Sequence, residues 1–486
     1  MLNKVERENF KQIKGMLYFF GSLNQPEKYG GIMNRLCVTA LAAGLSVGLT
    51  ANAFAGERYQ DRQFTVDVKR DVVYASDVPA LSSHHFITQA LFAYKMTNQD
   101  ATVAYFYSDE KTTTPTDMKM DIYMPEKDSK TDRAAVLVVH GGAMVAGSKG
   151  DFAQHTVNYC DSLAARGYVA ASMDYRLGVT LTSRDAQLHI DSTHFARAVY
   201  RGVQDVRAAV RYLRANAEDL GINPNRIYLV GNSAGAILSL ENIYSTTEEN
   251  FPDYIDSEPL LGALDLYGEQ GYDSKANGVA ALWGAIHNLE MVGDNERPVL
   301  LIHGTADETV LFKTGRPLSN LPGVLKNIIP SEMGALAASY TLDLQTPTLY
   351  GSYVIDSLLT EKEIEHETYF VEGVAHEFYD EAPYTESVQN RVFNFLYSLT
   401  QATESIETKP IFATAQNAVQ MGKMNQSFTV LRGQNLKFRV YDLRGRAVMP
   451  TGNISAGETV NLNTLDAGVY VLMVQGYRPV RFGLRK

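Results

Sequence analysis

Between Arg226 and Gly235 the chain reads RIYLVGNSAG, and this stretch constrains what the rest can fold into. Ile227, Tyr228, Leu229 and Val230 form a continuous apolar run, the pattern of a strand covered on both faces. The run ends in G-x-S-x-G at Gly231, Ser233 and Gly235, and Ala- and Leu-rich residues continue as a helix. A strand that turns this sharply into a helix pushes the central hydroxyl out at the carboxyl edge of a sheet. Glycines on either side keep Cβ atoms out of the turn, and the helix N-terminus offers backbone N–H groups to a developing oxyanion. Glycine and serine are common, so by itself the pentad fits a structural turn as well as a nucleophile. Partners elsewhere in the chain decide between the two.

Such partners occur at the ends of other expected strands. From Met118 the pattern alternates strand and helix. Met118–Tyr123 alternates and stops at Pro125, and Ala134–Val139 and Tyr168–Met173 are buried runs. Val157–Arg166 and Phe195–Asn216 are helical, while Leu260–Leu266, Val299–Ile302 and Thr368–Val371 read as further strands. Repeated βα units predict an α/β chain with a doubly wound, mostly parallel sheet. Ligands of such sheets bind beyond the carboxyl ends of the strands. The segments lying there are His140-Gly141-Gly142-Ala143, Asp174-Tyr175-Arg176, Gly304-Thr305-Ala306-Asp307 and Gly373-Val374-Ala375-His376.

The chain has 486 residues and two distinct charge regimes. From Lys409 onward eleven Lys/Arg face three Asp/Glu, an excess of +8, so residues 1–408 carry −19 of a net −11. That asymmetry indicates two units with different jobs, and the net charge argues against nucleic acid as a partner of the whole chain. Cys37 and Cys160 cannot build a disulfide framework or a cysteine zinc site, and histidine metal spacing is lacking, so neither metal nor cofactor is expected. The adjacent His84 and His85 read as surface or packing residues ahead of a helix reaching Met96, and Val66–Tyr74 alternates like a strand.

Residues 33–55 read as a secretory signal: Arg35 in the n-region, an apolar Leu36–Leu49 and an A-x-A site at Ala53-Phe54-Ala55. The apolar run is short and glycine-rich for a membrane span, so no stable span is expected in the mature protein. Residues 1–32 do not look like an n-region, and Met33 is the expected start. The organisation expected is an extension and signal over 1–55, an α/β domain with its lead-in over 56–400, a polar linker over 401–410, and a small β-sandwich over 411–486. Within the sandwich, strands are expected at Phe428–Leu431, Leu436–Tyr441, Thr459–Leu462, Val469–Val474 and Val480–Leu484, with a turn at Thr451-Gly452-Asn453.

HGGA at 140–143, DYR at 174–176, GNSAG at 231–235, GTAD at 304–307 and the Ala375-His376 pair together resemble the carboxylesterase/lipase branch of the α/β-hydrolases over roughly residues 118–400. The resemblance implies that Ser233 is the nucleophile, His376 its general base and Asp307 the acid that orients His376, with Glu308 the adjacent alternative. It places the oxyanion hole at the N–H groups of Gly142, Ala143 and Ala234, with Ala143 where many relatives carry a third glycine. His140 would brace that loop, and Gly141, Gly231 and Gly235 would let it close on the turn. VYDLRGRAV, LDAGVYVLMV and the basic end resemble the sorting domain of type IX secretion substrates, which implies a secretion machinery as partner and a location outside the cell or on its surface. A carbohydrate-binding module is the rival reading of that unit.

The function expected is a secreted serine ester hydrolase without metal or cofactor, passing through an acyl-serine. A small-molecule or polysaccharide ester is the expected substrate, and secretion suggests a polymeric or dietary one such as acetylated or feruloylated plant polysaccharide. The alternatives are a prolyl-oligopeptidase-type peptidase, disfavoured by the short lead-in and Ala236, and a non-catalytic hydrolase-like binding protein, disfavoured because all three triad residues are present. Asp205, with Arg207 nearby, reads as a salt-bridged structural carboxylate, Asp174 and Arg176 as structural bracing, and His303 as packing beneath the acid loop. Trp283 reads equally as pocket wall or core, and 313–350 as a lid or a packed excursion. Peptide mapping of the secreted protein is expected to give a mature N-terminus at Gly56; recovery of peptides from residues 1–32 would overturn that reading.

Overall fold

The computed structural model describes residues 57–97, 103–150, 153–184, 187–256, 261–293, 297–319, 341–380, 382–401, 419–422, 426–431, 436–442, 446–474 and 480–484. The expected signal at 33–55, the linker beyond 401 and the centre of the 313–350 insertion lie outside them. The central sheet has eight strands: β1 (Val66–Leu81), β2 (Thr113–Pro125), β3 (Arg133–Val139), β4 (Val169–Met173), β5 (Ile222–Asn232), β6 (Val279–Leu282), β7 (Val299–Gly304) and β8 (Glu367–Val371). Their order is β1-β2-β4-β3-β5-β6-β7-β8. β2 pairs antiparallel with β1 and β4, and every later neighbour is parallel.

Burial on both faces explains the unbroken apolar runs. In β3 and β5, Ala135, Leu137, Val139, Ile227 and Leu229 join one core cluster, while Ala134, Val136, Val138, Tyr228 and Val230 join another. A period of two sends neighbouring side chains to opposite faces, so each strand needs an apolar residue at every position. The N-terminal lead-in adds helix α1 (Phe86–Thr97). Helices α2 (Ala153–Ala165), α3 (Ser192–Ala215), α4 (Ala234–Tyr244), α5 (Ser352–Glu361) and α6 (Tyr384–Gln401) follow. Residues of α3 and α4 pack in the first cluster, and residues of α2 and α6 in the second. This mixed sheet with helices on both faces fits the α/β-hydrolase fold expected.

One expected strand is not one. Leu261–Leu266 has no strand pairing, and the strand between β5 and β7 is Val279–Leu282, VAAL, every residue of it buried. The reason lies on α3. The Gln204 side-chain amide donates to the carbonyls of Leu261 and Ala263, Arg211 Nε donates to Glu269 O at 2.6 Å, and Arg207 and Arg211, one turn apart, both grip Asp265. These side chains satisfy the segment's carbonyls in place of a strand ladder. Burial works against the Asp265 carboxylate, but the two guanidinium groups hold it well below the usual carboxylate range.

Asp205 is a buried structural carboxylate, but Arg176 is its partner. Arg176 Nε lies 2.9 Å from Oδ1 and its backbone N–H 2.7 Å from Oδ2, and both side chains are almost wholly buried. Arg207, two positions along the helix from Asp205, points to a different side and cannot share its partner. The bridge ties the segment after β4 to α3. Cys160, in α2, is a buried free thiol whose ionisation burial strongly opposes.

In the C-terminal unit, β9 (Val419–Met421), β10 (Ser427–Val430) and β13 (Thr459–Asn461) form one small sheet. β12 (Gly452–Ile454), β11 (Leu436–Asp442), β14 (Gly468–Val474) and β15 (Val480–Leu484) form another. Phe428, Val430, Phe438, Val440 and Leu472 bring residues of both sheets into one buried cluster. Gly452, expected in a turn, is paired opposite Phe438. At the ends of the 313–350 insertion, Thr314–Gly315 and Ala285–Ile286 both pair with Leu349–Gly351, and Thr341–Leu344 pairs with Gln187–Ile190.

Removing one partner of the Arg176–Asp205 bridge leaves a buried charge. Asp205→Ala is expected to lower unfolding stability by about 3–5 kcal/mol, and Asp205→Leu with Arg176→Met to recover part of that loss, as read by urea denaturation.

Candidate active site

The site begins with a close approach that only glycine permits. A Cβ on Gly235 would lie 2.1 Å from the carbonyl oxygen of Val139 and 2.6 Å from that of His140. The first turn of α4 can therefore press against the end of β3. Ser233, between β5 and α4, takes φ 54° and ψ −120°. Its N–H is anchored to Leu282 O at 2.9 Å, and its carbonyl accepts from Ala236 and Ile237 N–H at 3.0 Å. Gly231, next to last in β5, lies between Val139 and Ala281 of the neighbouring strands.

The same packing brings the loop after β3 beside the serine. A Cβ on Gly141 would be 3.3 Å from Ser233 Cβ. Gly142, at φ +107°, turns the loop back so that its carbonyl accepts from Val145 and Ala146 N–H, both at 2.9 Å. His140 stacks on Tyr175 at 4.3 Å, and the Tyr175 hydroxyl reaches the carbonyls of His140 and Gly141, each at 3.1 Å. The carbonyls of the loop thus point into protein. No acceptor among the described residues takes the N–H groups of Gly142, Ala143 or Ala234. Ala143 stands at φ 54°, left-handed backbone that a third glycine would occupy without strain.

Asp307 and His376 come from the loops after β7 and β8. Those loops are joined by Thr305 N–H to Val371 O at 2.9 Å, Ala306 N–H to Val374 O at 3.0 Å, and Gly373 N–H to Thr305 Oγ1 at 2.8 Å. His376 Nδ1 lies 2.6 Å from Asp307 Oδ2, and Nε2 lies 2.9 Å from Ser233 Oγ. Asp307 Oδ1 accepts from the N–H groups of Thr309 and Val310 at 2.8 and 3.0 Å. Asp307 is buried and Glu308 exposed, so the first of the two adjacent carboxylates contacts the imidazole. Burial works against both charges in this pair. Against it, His376 and the nearby His303 ring hold Asp307 far below the usual carboxylate range, and the Asp307 field holds His376 above the ordinary histidine value.

Two further residues border the pair. Trp283, fully buried after β6, stands edge-on to His376 at 6.0 Å and stacks on Tyr379 at 4.9 Å, so it is core that backs the histidine. His303, also fully buried, has Nε2 3.1 Å from Asp307 Oδ2 and Nδ1 2.8 Å from Ser352 Oγ. Only the chain fold reveals these contacts; Ser352 in particular belongs to no recognisable motif. Asp174 and Arg176 lie outside this cluster, Asp174 accepting from Lys149 N–H at 2.7 Å. Ala143, Met144, Ser233, Trp283 and Glu377 are five of the eleven non-glycine residues with positive φ among the described residues. Strain of this kind gathers at functional sites. Among the described residues, no group of three or more His, Cys, Asp or Glu could hold a metal ion, and no helix is long and apolar enough to cross a membrane.

The chain has partial matches among known proteins. Residues 120–268 match the family model described as BD-FAE. Over 123 residues, 25% of this chain and 19% of the relative, the sequence is 31% identical to Carboxylesterase 3B of Mus musculus. Over 217 residues, 39% of this chain and 48% of the relative, it is 31% identical to Esterase LipC of Mycobacterium tuberculosis. The matched stretches thus span a fifth to a half of these curated relatives. A thermophilic esterase structure from Thermogutta terrifontis, with propionate bound, aligns over 58% of this chain and 90% of its own at 21% identity and a TM-score of 0.38.

The His376 ring is expected to titrate above about 6.5. In Asp307→Asn, burial opposes the charge with only the lesser Glu377 field against it, and the value is expected to fall. Ring NMR titration checks both signs; an unchanged value in Asp307→Asn would contradict the assigned field.

Proposed function

We propose that the chain is a secreted serine hydrolase of carboxylic esters. The observation that carries this reading is the continuous chain Asp307 Oδ2, His376 Nδ1, His376 Nε2, Ser233 Oγ at 2.6 and 2.9 Å, beside backbone N–H groups free to receive an oxyanion. A serine hydroxyl is too weak an acid to attack unaided. With Asp307 accepting from Nδ1–H, the Nε2 lone pair faces Ser233 and takes its proton as Oγ bonds to the ester carbonyl carbon. The carbonyl π pair moves onto oxygen, which the N–H groups of Gly142, Ala143 and Ala234 receive. Collapse breaks the bond to the alkoxy oxygen, which leaves as alcohol with the proton from Nε2. Water then attacks the acyl-serine, giving its proton to Nε2, and the carboxylic acid departs as Ser233 is reprotonated.

The raised ionisation of His376 sets the sign of the pH dependence. The base must be neutral, so kcat/KM rises as pH climbs through that raised value. The signal at 33–55 and the basic C-terminal unit, read as a β-sandwich sorting domain, support export outside the cell or to its surface. With export, the substrate class we propose is a polysaccharide bearing acetyl or feruloyl esters.

The test is hydrolysis of p-nitrophenyl acetate. Ser233→Ala is expected to lose on the order of 10⁴–10⁶-fold in kcat. Gly142→Ala, whose Cβ would sit 2.1 Å from Ala146 O, is expected to lose about a hundredfold by displacing the oxyanion loop. A wild-type protein without esterase activity, or one matched by Ser233→Ala, would refute the reading. Cleavage of aminoacyl-proline amides without ester hydrolysis would favour a peptidase instead.

A further inference from the structure

We propose that His303 is a positioning residue for the acid: a second histidine that holds the Asp307 carboxylate from beneath, with its own tautomer set by Ser352.

The geometry assigns each proton. His303 Nε2 lies between two acceptors, Val310 O at 2.9 Å and Asp307 Oδ2 at 3.1 Å, so Nε2 carries hydrogen. Nδ1 is 2.8 Å from Ser352 Oγ, while Ser352 Oγ is 3.5 Å from Gly284 O, beyond the range of a good O–H···O bond. The Ser352 hydroxyl therefore donates to Nδ1. Ser352 opens α5 and His303 sits in β7, and both side chains are fully buried. Phe312 closes the remaining side, edge-on to the His303 ring at 5.5 Å.

The consequence concerns which oxygen faces His376. Backbone N–H groups of Thr309 and Val310 hold only Oδ1. Two ring nitrogens stand at Oδ2, His376 Nδ1 at 2.6 Å and His303 Nε2 at 3.1 Å, the second with its N–H bonded to Val310 O and its edge turned to the carboxylate. Without His303, Oδ2 would be held only by the ring it is meant to orient. The second ring also draws charge from the carboxylate and so weakens its pull on the His376 proton. The titratable groups about the pair are His303 itself, Glu377 next to His376, and the exposed Glu308.

The inference rests on reading Asp307 as the triad acid, but its test needs no turnover. Ring NMR would follow the His376 titration in the full chain and in His303→Leu, His303→Gln and Ser352→Ala, each checked for native fold by circular dichroism. His303→Leu is expected to move the titration upward by about half a unit to one unit, the coupled share of a polar contact with a charged group. Gln, whose amide nitrogen can replace Nε2, should restore it, and Ser352→Ala, which leaves the ring in place, should shift it partway. If the full chain hydrolyses esters, kcat/KM should fall about ten- to a hundredfold in His303→Leu and recover in Gln. A His376 titration unmoved in His303→Leu and Ser352→Ala, or a Gln variant that behaves like Leu, overturns the proposal. Absence of esterase activity in the full chain would instead count against the functional reading and leave the titration test standing.

Discussion

The close packing of Gly235 against the end of β3 is the contact on which the site depends. With the Val139 and His140 carbonyls where a side chain would begin, the first turn of α4 can seat only if residue 235 has no Cβ. Once seated, it fixes the strained backbone of Ser233 and brings Gly141 alongside it. Left-handed backbone at a residue such as Ser233 costs about 1–3 kcal/mol and persists because the surroundings over-determine it. Here the over-determination is visible: the Ser233 N–H bonds to β6 and its carbonyl opens α4.

The acid and the histidine reach that serine through neighbouring parallel strands. Parallel order places the ends of β3, β5, β6, β7 and β8 along one edge, so residues 140–143, Ser233, Trp283, Asp307 and His376 converge from a sequence separation of 236, His140 to His376. Hydrogen bonds between the last two loops, through Thr305, Ala306 and Gly373, keep the imidazole from wandering. Behind them, α3 does a different task. Its buried arginines and Gln204 hold an irregular chain segment and the Asp205 bridge against the body of the domain, satisfying carbonyls no strand could pair.

Much of this was legible before any coordinates. Unbroken apolar runs revealed strands buried on both faces, and glycines beside Ser233 marked a turn where Cβ atoms cannot fit. Asp307, ahead of Glu308, was favoured by its position at a strand end together with the family resemblance. The failures have a common cause. Leu261–Leu266 has the composition of a strand, but side chains from a helix about sixty residues earlier take its carbonyls. VAAL at 279–282, four small or branched residues, gave too short a signal to replace it. Asp205 has an arginine two positions away, yet its partner, Arg176, comes from the segment after β4. His303 reads as packing because nothing local shows that Ser352, nearly fifty residues later, lies against its other nitrogen.

Beside the resemblance of its motifs to a known family, which singled out Ser233, Asp307 and His376 as candidates, the sequence by itself determined the properties that depend on neighbours along the chain: strand and helix character and the glycine-bound turn. These follow from side-chain period and backbone sterics within a few residues. Only the tertiary structure decided which buried charges pair, which strand fills the sheet between β5 and β7, and what stands behind the acid. Those depend on contacts between distant segments. In a low-dielectric interior a buried polar group must find a partner wherever the fold provides one, and sequence proximity has no say in where that is.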